Sequence, residues 1–359
     1  MKKKIIAVIS TLKKGGVERT LSVLSQEWIK ENEVKIIVFD GSNIGYSFSG
    51  KVINLKLPAL KGTFPKIIQF FRRFIQLKKL FKKEDPDHII SFMESANFAS
   101  IFAAYFTNKT KNLMISVRTN PKTMLRSHRL LIPYLYAFSK KIITVSKGVS
   151  NALIKMGVPS KKIKIIYNPL PLSIPTISNS LSRPKDAPNN YILGVGRLVK
   201  LKGFDLLIDA FSKIPNQNIH LVILGEGKER KKLESIILNK DLKDRTHLIG
   251  SVDDLWQWYR HAKCFVSSSL TESWGNVIVE AMSQNCPVVA FDCDYGPREI
   301  IKDKVNGLLV EINNVQSLTN ILSSLLSDHQ LSNKLRYNGL IRSSEFDAKM
   351  LSLEWLKDD

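Results

Sequence analysis

Short runs rich in Ile and Val recur along this chain, and most are parted from the next by a longer stretch with helical spacing. That alternation constrains the fold more than any other feature. A short apolar run bounded by turn residues fits a strand buried on both faces. Such strands belong to parallel sheets, whose crossover helices cover both sides. In the first half, strands are expected at Lys4–Ser10, Val34–Phe39, Val52–Leu55, His88–Phe92, Leu113–Val117, Ile142–Val145 and Ile163–Tyr167. Pro169, Pro171, Pro175, Pro184 and Pro188 then fall among serines and asparagines, which breaks the pattern.

The second half repeats it. Strands are expected at Tyr191–Val195, His220–Leu224, Thr246–Ile249, Cys264–Ser267, Pro287–Phe291 and Gly307–Val310. Helices are expected at Phe204–Ser212, Glu229–Asn239, Asp254–His261, Asn276–Gln284, Gln316–Ser327 and Leu331–Ser343. The predicted fold is α/β, with two doubly wound, Rossmann-like domains facing across a cleft at the carboxyl ends of their strands. The expected parts are a domain over 1–170, a linker over 171–190, a domain over 191–343, and a C-terminal helix within 344–359 returning toward the first domain.

Charge divides the halves sharply. Residues 1–170 carry 31 Lys/Arg against 9 Asp/Glu, whereas 171–359 carry 23 of each. No acid occurs from Gly41 to Lys83 or from Ser95 to Lys185. Solubility alone does not require one half to be nearly free of acids. An anionic partner does: lipid headgroups, a pyrophosphate-bearing substrate or nucleic acid. Cys264, Cys286 and Cys293 are the only cysteines and lack C-x-x-C spacing, which points to a reducing compartment without disulfides or zinc. Ile5–Ser10 after Met1-Lys-Lys-Lys is too short for a leader and is expected as a buried strand. No run approaches the about 20 apolar residues that span a bilayer.

Three motifs carry chemistry. Gly15 and Gly16 follow the first strand and open a helix, where bare backbone and a helix N-terminus suit phosphate or sugar. Gly194-Val-Gly196-Arg197 with Lys202 lies at a strand–loop–helix junction; Arg197 can clamp phosphate oxygens and Lys202 adds a point charge. Glu272-Ser-Trp-Gly-Asn-Val-Ile-Val-Glu280 sets two carboxylates around an expected helix start, where Gly275, Asn276 and Val277 supply amides. Carboxylates bracketing apolar residues suit bound hydroxyls, because a buried acid without partners is costly. Cations for a diphosphate and acids for hydroxyls together describe a pocket for a nucleotide sugar. Asp292-Cys-Asp294 has a D-x-D form, but Tyr295-Gly-Pro297 after it marks a turn, Asp253-Asp254 suits a helix cap, and the scattered histidines predict no metal site.

Phe64 to Lys83 forms a basic amphipathic pattern. Phe64, Ile67, Ile68, Phe71, Phe74 and Ile75 share one side, expected to be core, while Lys66, Arg72, Arg73, Lys79 and Lys83 share the other. The density of cations places an anionic membrane nearby.

These residues together resemble glycosyltransferase family 4, bacterial retaining enzymes of the GT-B fold, over essentially the whole chain. The likeness rests on Gly15-Gly-Val-Glu18, Gly196-Arg-Leu198 with Lys202-Gly203, Gly225-Glu-Gly227, Glu272 and Glu280-Ala281, Pro287-Val-Val-Ala290 and Asn306-Gly-Leu308. It implies that Arg197 and Lys202 bind the donor diphosphate, that Glu272 holds the transferred sugar and Glu280 the ribose, and that transfer needs no metal or other cofactor. Arg118 stands where many relatives carry a histidine, and it is expected in the catalytic set with Glu272, Arg197 and Lys202, facing the sugar. That departure, with Gly296-Pro-Arg-Glu-Ile-Ile301, is similar to a subgroup using N-acetylgalactosamine, galactose or related donors in oligosaccharide and capsule assembly. The expected activity is transfer from a UDP-sugar to a lipid-linked or surface-glycan acceptor, by a protein peripheral to the inner face of the cytoplasmic membrane. Two rivals are a nucleic-acid-binding protein, favoured by charge but lacking any recognised motif, and a catalytically silent partner of another transferase. Intact Glu272, Glu280, Arg197 and Lys202 oppose the second.

Overall fold

The apolar runs form parallel strands because their side chains are covered on both sides; Ile5 to Ile9 are at most 1% exposed. The computed structural model describes residues 2–178 and 180–357. Met1, Asn179 of the expected linker, and Asp358 and Asp359 of the expected C-terminal helix lie outside them. The chain divides into two units, residues 1–172 with 347–359 and residues 173–346.

In the first unit the order is β1 (Lys4–Leu12), α1 (Gly16–Trp28), β2 (Glu33–Ile44), β3 (Lys51–Asn54), α2 (Thr63–Glu84), β4 (His88–Phe92), α3 (Glu94–Tyr105), β5 (Leu113–Val117), α4 (Arg126–Tyr136), β6 (Lys141–Thr144), α5 (Lys147–Lys155) and β7 (Ile163–Ile165). Its described strands form one parallel sheet in the order β3-β2-β1-β4-β5-β6-β7. The second unit holds β8 (Tyr191–Val195), α6 (Phe204–Ser212), β9 (His220–Leu224), α7 (Arg230–Asn239), β10 (Thr246–Gly250), α8 (Trp256–His261), β11 (Cys264–Ser267), α9 (Asn276–Ser283), β12 (Val288–Phe291), α10 (Pro297–Ile300), β13 (Leu308–Val310), α11 (Val315–Ser327) and α12 (His329–Ser344). Its parallel sheet runs β10-β9-β8-β11-β12-β13. In each sheet the strand order reverses beside the first strand, and the loops at the carboxyl ends part there.

The proline-rich segment after β7 is bonded to the second unit: Gln284 Nε2 donates to Pro175 O over 3.1 Å and Arg260 Nη2 to Thr176 O over 3.1 Å. A last helix, α13 (Ala348–Leu356), belongs to the first unit and packs on α1. Trp355 is 1% exposed, with ring centroids 6.1 Å from Trp28 and 5.6 Å from Phe92. Trp28 Nε1 donates to Ser352 O over 3.2 Å.

One expectation fails. The row Phe64, Ile67, Ile68, Phe71, Ile75 is not core: these side chains are 73%, 49%, 37%, 54% and 46% exposed. The buried residues of α2 are Gln69, Leu77 and Phe81. The physical reason lies in the β3–α2 connection. Gln69 Nε2 donates to Pro58 O over 2.8 Å, and Arg73 donates to Leu57 O through Nε and Nη2 while lying 4.6 Å from the Phe39 ring centroid. Satisfying those carbonyls turns the polar row inward, and Phe70 and Phe74 pack beside it on Phe102 of α3.

Trp355→Ala should remove the aromatic plug between α1, β4 and α13. A large-to-small change of this kind costs about 3–5 kcal/mol. Urea unfolding followed by circular dichroism should show the midpoint fall; an unchanged midpoint would mean that α13 adds nothing to the first unit.

Candidate active site

The carboxyl ends of β8, β9 and β11 bring three loops together in the second unit. Close backbone approach makes this possible. A Cβ on Gly225 would lie 1.9 Å from Gly196 O, and one on Gly203 would lie 2.2 Å from Ser268 O. Both glycines also take positive φ, +138° and +59°, which L side chains rarely adopt. Gly196 N donates to Leu224 O over 2.9 Å, so the β8 loop stays in register with β9.

Lys202 and Glu272, 70 residues apart in sequence, form an ion pair here through Nζ and Oε1. Their side chains are 22% and 14% exposed, so the pair is largely but not wholly shielded. Ser269 Oγ donates to the same Oε1 over 2.9 Å. The loops are stitched by Ser268 Oγ to Lys202 O at 2.9 Å and Leu270 N to Leu201 O at 2.9 Å. Cys293 lies beside them, its thiol pushed up to about 12 by burial, with the Glu272 charge adding to the rise. It therefore stays protonated near neutrality and is a poor nucleophile.

Arg197 is exposed just after β8 and makes no side-chain hydrogen bond or ion pair among the described residues. Gly275 caps α9 in the left-handed region at φ +111°, and Asn276 and Val277 begin that helix. Glu280, within α9, has no exposed surface and accepts from the Tyr259 hydroxyl over 3.3 Å. Gly196, Arg197, Lys202, Glu272, Gly275, Asn276, Val277 and Glu280 thus all belong to the second unit. Ser269 and Tyr259 are additions; their signals were the serine run before Glu272 and the aromatic stretch Trp256-Gln-Trp-Tyr259.

Gly15, Gly16 and Arg118 belong to the first unit. Gly15 precedes α1, and Glu18 folds back so far that a Cβ on Gly15 would lie 2.4 Å from its Oε2. Glu18 Oε1 accepts from Thr11 Oγ1 over 2.9 Å. Arg118 is 9% exposed just after β5. Its Nε donates to Ser116 Oγ at 2.8 Å, its Nη1 to Asn168 Oδ1 at 2.5 Å, and its Cζ lies 5.0 Å from the Trp355 ring centroid. Burial lowers the guanidinium to about 9, so it remains charged near neutrality. Its Nη2 has no hydrogen-bond partner among the described residues.

Asp292 is held by Arg298 through bonds of 2.8 and 2.5 Å, and Asp254 Oδ1 accepts from Trp256 N at 3.1 Å just ahead of α8. Among the described residues no group of three or more His, Cys, Asp or Glu side chains is placed to hold a metal ion.

Two parallel-sheet α/β units of this kind are the GT-B glycosyltransferase fold. Anabaena HepE, solved in complex with UDP and glucose, superposes with a TM-score of 0.81 at 21% identity, over 99% of this chain and 98% of that one. Residues 14–173 match Glycosyltransferase Family 4 and residues 177–342 match Glycosyl transferases group 1, so the chain belongs to the family 4 glycosyltransferases. A Campylobacter jejuni protein named N-acetylgalactosamine-N,N'-diacetylbacillosaminyl-diphospho-undecaprenol 4-alpha-N-acetylgalactosaminyltransferase is 29% identical over 360 residues, 97% of each chain. The amylovoran biosynthesis glycosyltransferase AmsD of Erwinia amylovora is 25% identical over 361 residues, 99% of each.

Gly203→Ala should force a Cβ against Ser268 O in a backbone conformation that disfavours it. Strain of this kind costs about 1–3 kcal/mol. Differential scanning calorimetry should show a lower Tm than wild type, and an equal Tm would show that the two loops separate freely. Arg118→Ala should also lower the Tm, since it removes charge-assisted bonds worth about 1.5–3 kcal/mol in sum or more. An unchanged Tm would mean that Arg118 does not brace β5, Asn168 and α13.

Proposed function

We propose that this glycosyltransferase moves a hexose or N-acetylhexosamine from a UDP-sugar to a lipid-linked oligosaccharide or related surface glycan, with retention of anomeric configuration, at the inner face of the cytoplasmic membrane. The observation that carries the reading is that one loop after β8 carries both an exposed Arg197 and Lys202, and that Lys202 is ion-paired with Glu272. Two cations at a strand-to-helix junction suit a diphosphate, and a carboxylate among them suits sugar hydroxyls. The named undecaprenol-linked substrate of the Campylobacter relative and the UDP bound to HepE support donor and acceptor class alike.

In this reading the donor sits on the second unit and the acceptor on the basic first unit. Arg197 and Lys202 take the charge that grows on the departing UDP, the largest electrostatic demand of the transition state. The acceptor hydroxyl attacks the anomeric carbon from the face that UDP leaves, and its proton passes to the departing phosphate oxygen. Glu272 orients the sugar. Glu280 receives ribose hydroxyls once the side chains over it part. Gly15 and Gly16 present backbone to phosphate or sugar.

Incubation with UDP-galactose, UDP-glucose and their N-acetylated forms, with a polyprenyl-diphosphate oligosaccharide as acceptor, tests this. The product should carry an α-linked sugar by proton NMR; a β-linked product contradicts retention, and no transfer from any UDP-sugar contradicts the donor class. Arg197→Ala and Lys202→Ala should each cut turnover by roughly 10- to 100-fold, the equivalent of about 1.5–3 kcal/mol, with circular dichroism unchanged. The family resemblance implies transfer without metal, so activity should survive excess EDTA. Activity lost to EDTA and restored by manganese would overturn that.

A further inference from the structure

The exposed row on α2 is a continuous ridge. Phe64, Ile67, Ile68, Phe71 and Ile75 fall within roughly a third of a turn of one another at helical spacing, about opposite the buried row Gln69, Leu77 and Phe81. The stripe continues past Ile75 as cations: Lys78 and Lys82 lie along it, and Arg72, Lys79 and Lys83 flank one side. A soluble surface helix shows the reverse arrangement, with its apolar row inward.

The neighbouring helices extend the pattern. Right-handed crossovers in this strand order set α2, α3 and α4 on one face of the sheet, opposite α1. Phe74 reaches Phe106 beyond α3 at 5.6 Å between centroids, and Tyr105 reaches Phe138 beyond α4 at 5.7 Å. Phe106, Tyr105 and Phe138 are 56%, 56% and 48% exposed. The sequence that supplies the ridge, Gly41 to Lys83, has no acid, and neither has the span from Ser95 to Lys185 that supplies α4.

The geometry points to one occupant: the surface of an anionic lipid bilayer, with the α2 ridge sunk among acyl chains and its cations at the phosphate level. A bilayer offers an anionic plane directly above an apolar layer, which is the order in which this face presents cations and apolar groups. The ridge lies in the plane of the membrane and does not cross it, since no described helix is long and apolar enough to span. This deepens the reading of a membrane-borne acceptor, but it stands on the surface itself and differs from attraction by charge alone. Apolar insertion survives salt that screens electrostatic binding.

Sedimentation with phosphatidylglycerol–phosphatidylethanolamine vesicles tests it, with phosphatidylcholine vesicles as the neutral control. Wild type should pellet with the anionic vesicles, and high salt should weaken binding without abolishing it. The variant Ile67→Ser/Phe71→Ser/Ile75→Ser should lose affinity by roughly tenfold or more and lose the salt-resistant fraction. The variant Arg72→Gln/Lys79→Gln/Lys83→Gln should lose the salt-sensitive part instead. Both alter exposed side chains, so both should bind UDP like wild type by calorimetry. Ridge-variant binding equal to wild type overturns the proposal, as does complete release of wild type by salt. It is also overturned if wild type ignores vesicles and forms a concentration-dependent dimer that the ridge variant lacks. Transfer to a short, water-soluble acceptor separates the two readings. Failure of wild type to bind anionic vesicles while that transfer persists sinks only the docking surface; wild-type vesicle binding without transfer from any UDP-sugar leaves the docking surface standing and sinks the proposed activity.

Discussion

The ion pair of Lys202 with Glu272 joins loops that leave two different strands, β8 and β11. Each group would be expensive to hold in a shielded place alone. Together they hold each other, with Ser269 taking up a further lone pair of the carboxylate. The surrounding backbone serves that meeting. Gly203 admits Ser268 O, Gly225 admits Gly196 O, and two further bonds fasten the loops. Side chains at either glycine would push the loops apart before the ion pair could form.

The pair also sets a competition. In the proposed role as a diphosphate ligand, Lys202 has to give up that carboxylate, wholly or in part. Arg197 has no such commitment and is exposed at the end of β8. The two cations are therefore not equivalent in this structure: one is uncommitted, and the other is held in an ion pair. In the proposed mechanism that exchange leaves Glu272 free for sugar hydroxyls at the moment Lys202 turns to phosphate.

Much of the fold was legible because parallel strands buried on both faces are nearly continuous apolar runs. β4, β5, β8, β9 and β11 begin and end where their sequence patterns do, and so does α6. Local junctions were legible for the same reason: Arg197 and Lys202 follow β8, and Glu272 follows β11, wherever those strands happen to pack. Pairings between distant residues were not. Nothing local to Glu272 names Lys202 as its partner, and nothing local to Arg118 names Asn168 or Trp355. The orientation of α2 is not legible in the sequence because apolar residues occur on both of its sides. Leu77 and Phe81 compete with Phe71 and Ile75 for the core, and the carbonyls of Leu57 and Pro58 decide the outcome through Arg73 and Gln69. A hydrophobic pattern cannot register hydrogen bonds to two loop carbonyls.

The competition for Lys202 is the most direct point of attack. Calorimetric titration of UDP onto wild type, Glu272→Gln, Lys202→Ala and the double variant isolates it. Removing the carboxylate should release Lys202, so Glu272→Gln should bind UDP tighter than wild type by roughly three- to tenfold. The same substitution in the Lys202→Ala background should leave the Kd unchanged. Equal UDP affinity in wild type and Glu272→Gln, or the same shift in both backgrounds, would show that Lys202 does not pass from carboxylate to diphosphate.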